Sequence, residues 1–171
     1  LGDNSSSGQF ARVLRALKKL SDTKLIFTAP NADTEGRIIK TMIDEFANEN
    51  PSRIAVFTSM GRINYLSTLQ YVDGILGNSS SGISEAPSFR IGTINIGDRQ
   101  TGRLKAESII DCDPNTKLIE RSIQQLYDPE FKNILKRVKS LYGDGTACKK
   151  IAAVLRKERL PQDLKKVFYN Q

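Results

Sequence analysis

At 171 residues, 39% hydrophobic and 26% charged, the chain can bury one ordinary core as a single domain. It reads neither as disorder nor, lacking any apolar run near the roughly 20 residues of a membrane span, as a membrane protein. The net charge of +7 is spread over helical segments such as ARVLRALKKL and FKNILKRVKS without interleaved aromatics, a pattern of solvated faces with some attraction for a small anion rather than a nucleic-acid surface.

The chain has no histidine, so the commonest general base and transition-metal ligand are both missing from it. Cys112 and Cys148 stand far apart in sequence, which suits free thiols in the cytosol and neither a metal clamp nor a disulfide framework. Leu1 is not a methionine, and no basic, apolar and small-residue leader follows it; the expectation is a fragment of a longer cytoplasmic protein.

From Ser7 to Leu20, Phe10, Val13, Leu14, Leu17 and Leu20 recur at helical spacing behind capping serines. KLIFTA (24–29) reads as a strand closed by Pro30, after which Ile38, Ile39, Met42, Ile43 and Phe46 restore a helical stripe. Pro51 ends that helix ahead of the strand RIAVFT (53–58), and Ile63, Leu66, Leu69 and Val72 space out as another helix leading into GILG (74–77). A serine loop, a helix over about 82–89 and the strand GTINIG (92–97) follow, with ESII (107–110) as a candidate edge strand. Beyond Asn115 the pattern is helical almost to the end, punctuated by YGDGT (142–146).

Short apolar strands alternating with helices predict an α/β fold with a Rossmann-like, doubly wound parallel sheet covered on both faces. Such sheets bind ligands beyond the carboxyl ends of their strands. GNSSSGISEAPS (77–88) lies at such an end. A strand-to-helix loop gathers backbone N–H groups and the positive end of a helix dipole, which favours phosphate; Ser79, Ser80 and Ser81 add hydroxyls, and Gly82 lets a backbone come close. Glu85, a turn further on, could accept hydrogen bonds from the vicinal hydroxyls of a ribose. The competing reading is that the serines cap the helix and Glu85 pairs with a lysine. Asn31, Asp33 and Arg37, in PNADTEGR, follow the first strand on the same expected edge, where a turn with Asp33 as a cap is an equal alternative.

GNSSSGISEAPSFRIGTINIGDRQTGR, together with PNADTEGRII and MGRINYLSTLQYVDGILGNSS, resembles the hydrolysing UDP-N-acetylglucosamine 2-epimerases, in particular the branch serving sialic and legionaminic acid synthesis. The likeness runs in consistent order through most of residues 25–146. It implies a glycosyltransferase-B-type enzyme of two Rossmann-like domains, with residues 1–171 as its carboxyl-terminal, UDP-binding domain and the amino-terminal domain outside this chain. By that resemblance Ser79, Ser80 and Ser81 hold the diphosphate of UDP and Glu85 the ribose hydroxyls. Tyr65 falls beside the uracil, though an aromatic on an amphipathic helix is also an ordinary core or rim residue. Arg103 lies near the phosphates, with Arg99 as its rival, and either could be a surface charge. The sequence departs from the commoner acidic-Ser-Gly-Gly-Ile-Gln-Glu motif in Asn78, its three serines and Ser84, which leaves the sugar open.

The same resemblance implies a reaction that eliminates UDP from UDP-N-acetylglucosamine and hydrates the unsaturated sugar to N-acetylmannosamine, with no metal or other cofactor. The full-length protein is expected to be a homo-oligomer acting on a UDP-sugar, and the proton-moving carboxylates to lie outside this chain, which would bind UDP without turnover. Two other readings remain: the nucleotide-binding domain of a UDP-sugar glycosyltransferase, and a non-enzymatic UDP sensor or scaffold.

Overall fold

The computed structural model describes residues 5–30 and 34–158. Two compact units divide the chain, Leu1–Leu141 and Tyr142–Gln171, the boundary falling where YGDGT begins.

The first unit alternates helix and strand: α1 (Ser6–Leu17), β1 (Leu25–Thr28), α2 (Thr34–Glu49), β2 (Ile54–Phe57), α3 (Gly61–Thr68), β3 (Gly74–Gly77), α4 (Ser80–Ser84), a 3₁₀ turn (Ala86–Phe89), β4 (Gly92–Ile96), β5 (Ile109–Cys112), α5 (Thr116–Tyr127) and α6 (Pro129–Arg137). In the second unit the described helix is α7 (Ala147–Lys157). No helix among the described residues is long and apolar enough to cross a membrane.

Local chemistry sets the ends of these elements. Ser5 caps α1, its hydroxyl oxygen accepting the Gly8 N–H at 3.1 Å. At the other end of α1 the Arg53 guanidinium donates to the carbonyls of Leu17 and Leu20 and lies 5.9 Å from the centre of the Phe46 ring, so one cation satisfies orphan carbonyls and packs on an aromatic face. Asn115 caps α5 by accepting the N–H groups of Lys117 and Leu118 at 3.0 and 3.3 Å.

Among the described residues the strand pairings are all parallel, as the α/β alternation requires. The single sheet expected from sequence is divided into β1–β2 and β3–β4–β5. The core does not divide with it. One cluster joins Val13, Ala16 and Leu17 of α1, Phe46 of α2, Ile94 and Ile96 of β4, Ile110 and Cys112 of β5 and Ile119 and Ile123 of α5, with Phe27 of β1 and Leu76 of β3 packed against it. The Phe10, Phe27 and Phe46 rings bridge α1, β1 and α2 edge to face, with centroids 6.5 and 6.3 Å apart. β4 is buried along its whole length, as a central strand covered on both faces must be.

Two elements shift from their expected positions. β5 starts two residues later than ESII, because Ile110 and Cys112 point inward while Asp111 faces out; a polar Asp111 had hidden the alternation. The helix expected over 82–89 begins at Ser80 and breaks at Glu85. The next turn is 3₁₀ and contains Pro87, which has no N–H to continue an α ladder, and it closes at Arg90 with φ 58° and ψ 35°.

Candidate functional site

The three serines sit where β3 hands over to α4, and the structure gives each a different task. Ser79 is the cap: its oxygen accepts the Ser81 N–H at 3.3 Å, leaving its own hydroxyl proton available. Ser80 is exposed, and its carbonyl accepts the Ser84 hydroxyl at 3.0 Å. Ser81 donates its only hydroxyl proton to Glu85 Oε2 at 2.5 Å. Tyr65 Oη lies 2.6 Å from the same Ser81 oxygen. Because the Ser81 proton is already spent on the carboxylate, Tyr65 is the donor in that second bond.

Tyr65 comes from α3, and its ring packs against a second apolar cluster of Leu69, Ala86 and Ile91. Partial burial of the phenol raises its pKa above the ordinary 10.0; the Ser81 hydrogen bond works against this and the Glu85 charge adds to it. Tyr65 is therefore a neutral donor at physiological pH. Beside it on the same helix, Asn64 lines a cavity of about 290 Å³ with Phe57, Ser59 and Met60, beyond the carboxyl end of β2.

Gly82 is buried, and the Thr93 hydroxyl of β4 donates to its carbonyl at 2.9 Å. A Cβ on Gly82 would stand 2.6 Å from Thr93 Cγ2, so this glycine lets α4 lie directly on β4. Its N–H is taken by the Ser79 carbonyl at 3.2 Å. Since α4 has only five residues, its dipole is small, and an anion placed here would be held by hydroxyl groups more than by helix geometry.

Sequence reasoning missed Gln100. Only 3% exposed, it donates from side-chain Nε2 to the Asn78 backbone carbonyl at 2.7 Å, and its backbone carbonyl accepts the Arg103 backbone N–H at 3.3 Å. The loop after β4 is thus tied to the serine turn, and Arg103 is carried on that loop with an exposed side chain. GDRQTGR drew attention to its arginines, but nothing in its spacing marks the glutamine as buried. Arg99 is exposed on the same loop. Arg37 is exposed on α2, and no hydrogen bond among the described residues joins it to the serine turn. Asn31 and Asp33 lie outside the described residues. Among the described residues, no three His, Cys, Asp or Glu side chains gather as metal ligands.

The site therefore combines two exposed hydroxyl-bearing serines, an exposed cation on a tethered loop and an oriented carboxylate beside a half-buried phenol. Such a set can take an anion and a polyhydroxylated group side by side.

Comparison with known proteins gives a consistent picture. The family model described as UDP-N-acetylglucosamine 2-epimerase matches residues 1–156. The chain is 36% identical over 132 residues to the GDP/UDP-N,N'-diacetylbacillosamine 2-epimerase (hydrolyzing) of Campylobacter jejuni, covering 77% of this chain and 34% of that protein. It is 35% identical over 143 residues to the polysialic acid biosynthesis protein P7 of Escherichia coli, covering 83% and 36%. The chain thus spans about a third of the length of these relatives. Its fold is shared with the UDP-GlcNAc 2-epimerase of Neisseria meningitidis bound to UDP-GlcNAc, with a TM-score of 0.67 at 18% identity over 92% of this chain and 46% of that one.

Proposed function

The chain belongs to the UDP-N-acetylglucosamine 2-epimerase family, and we propose that it holds the uridine diphosphate of a UDP-sugar during a hydrolysing 2-epimerase reaction. The observation that carries this reading is the arrangement at the end of β3: the exposed Ser79 and Ser80 open the turn that leads to a Glu85 carboxylate hydrogen-bonded by Ser81, which Tyr65 in turn engages. A diphosphate set against the serines would put its ribose at Glu85, with the base toward α3.

In this proposal the anomeric C1–O bond of UDP-N-acetylglucosamine breaks as a base takes the proton from C2, UDP departing with the bonding pair. Water then adds across the C1–C2 double bond, oxygen to C1 and a proton to C2, to give N-acetylmannosamine. Negative charge grows on the departing diphosphate as the bond breaks. Ser79, Ser80 and Arg103 would stabilise it by hydrogen bonds and charge, which lowers the barrier to the extent that they bind the transition state more tightly than the substrate. The groups that move protons would stand on a preceding domain of the same protein. The name of the E. coli relative supports a role in sialic acid or related nonulosonic acid synthesis, and the free thiols of Cys112 and Cys148 suit a cytoplasmic setting.

Titration of the chain with UDP, followed by amide NMR, tests the site. The expected result is shifts concentrated at 78–85 and 98–103, weakened in a Ser79→Ala, Ser80→Ala double variant. Unmoved signals in that corner would overturn the reading. Release of free sugar without any acceptor by the longer protein would separate it from glycosyl transfer.

A further inference from the structure

Tyr65, Ser81 and Glu85 form a directional chain in which every proton is accounted for. Tyr65 gives its proton to Ser81, and Ser81 gives its own to Glu85 Oε2. This leaves Oε1 and one lone pair of Oε2 to accept from elsewhere. The far end is anchored, because the Tyr65 ring packs on Leu69, Ala86 and Ile91. Glu85 itself needs such an anchor. It sits at the break between α4 and the 3₁₀ turn with φ −102° and ψ −47°, only half-buried, on a side chain with three rotatable bonds.

We propose that Tyr65 acts through its hydroxyl, by way of Ser81, as the positioning residue for Glu85, and that this relay sets the preference for ribose over deoxyribose in the bound nucleotide. The inference rests on the UDP-holding reading above and adds a specificity role to it. Two vicinal hydroxyls can donate to one carboxylate only when its plane is turned toward them, and the Tyr65–Ser81 pair holds that plane. Removing the phenol proton source leaves the Ser81 oxygen short of a donor, so the serine is free to turn and Glu85 is released with it.

The test is calorimetric titration of the whole chain with UDP and with 2'-deoxy-UDP, for the wild type, Tyr65→Phe, Ser81→Ala and the double variant. Tyr65→Phe keeps the ring and its packing. The expected result is that it lowers UDP affinity by about tenfold while leaving 2'-deoxy-UDP within about twofold, so that the sugar preference collapses. Ser81→Ala is expected to do the same, and the double variant to be no worse than either single change, since all three break one chain. An unchanged preference in Tyr65→Phe overturns the relay, whether both ligands keep their affinity or both weaken equally. A wild-type chain that binds neither nucleotide overturns the UDP-holding reading itself.

Discussion

A tyrosine, a serine and a glutamate spread over 21 positions become a single unit because α3 and α4 flank the same strand, β3. The phenol is the titratable end of that unit. Its pKa is raised mainly by burial, with the Ser81 hydrogen bond opposing and the Glu85 charge reinforcing. A group whose pKa is raised on folding contributes stability that is fully present below its unfolded value near 10.0 and is lost as pH climbs through the folded value. The phenol end of the relay therefore keeps its proton at neutral pH and should lose it in alkali. In a spectrophotometric titration, two of the five tyrosines, Tyr65 and Tyr127, are expected to ionise later than an exposed phenol, Tyr127 because of burial and the Asp73 carboxylate beside it. The late amplitude should fall by one phenol in Tyr65→Phe. A variant that kept the full late amplitude would assign the raised pKa to another tyrosine.

At the scale of elements, the contact that places the site is α4 on β4. Thr93 is 2% exposed and meets Gly82 both through its hydroxyl and through its methyl group. Gly82→Ala should therefore push α4 off the sheet or strain Thr93, at a cost of about 1–3 kcal/mol in a thermal melt. It should also lower UDP affinity, since Ser79, Ser80 and Ser81 move with the helix. A Gly82→Ala, Thr93→Ser double variant removes the clashing methyl and is expected to recover most of both losses. No recovery would mean that Gly82 is required for some other reason. A comparable close approach occurs at Gly92, where a Cβ would lie 2.4 Å from Leu126 of α5. Glycines in β4 and α4 thus bring helices close to both faces of this strand.

For the whole molecule, the decisive point is that the chain spans about a third of its curated relatives. Hydroxyls, a carboxylate and arginines suffice to hold a nucleotide diphosphate, whereas elimination and hydration also need groups that take and return a proton at carbon. The chain has no histidine, and in the proposed reading the free oxygen of Glu85 is taken by the ribose hydroxyls, away from the carbon that must lose and regain a proton. The chain alone is expected to bind UDP-N-acetylglucosamine but to release UDP no faster than the uncatalysed reaction in a coupled assay. Turnover would place the proton-moving groups on these 171 residues.

Much of this was readable from residue order alone. The parallel α/β pattern followed from apolar runs too short for anything but strands, set between helical stripes. The candidate corner was read from GNSSSGISEAPS at the end of such a run, because strand-to-helix loops at that edge are where backbone and hydroxyl donors converge. These are properties of neighbours in sequence, so local periodicity and turn chemistry reveal them. What required the tertiary structure was every relation across sequence distance. The division of the strands into two sheets, the burial of Gln100 against Asn78, the seating of Gly82 on Thr93 and the proton chain from Tyr65 to Glu85 all depend on which surfaces pack together. Composition named the three serines as equals. Only the fold separated them into a cap, an exposed donor and a link to the carboxylate, because a hydroxyl has one proton and its partner is chosen by what stands within 3 Å of it.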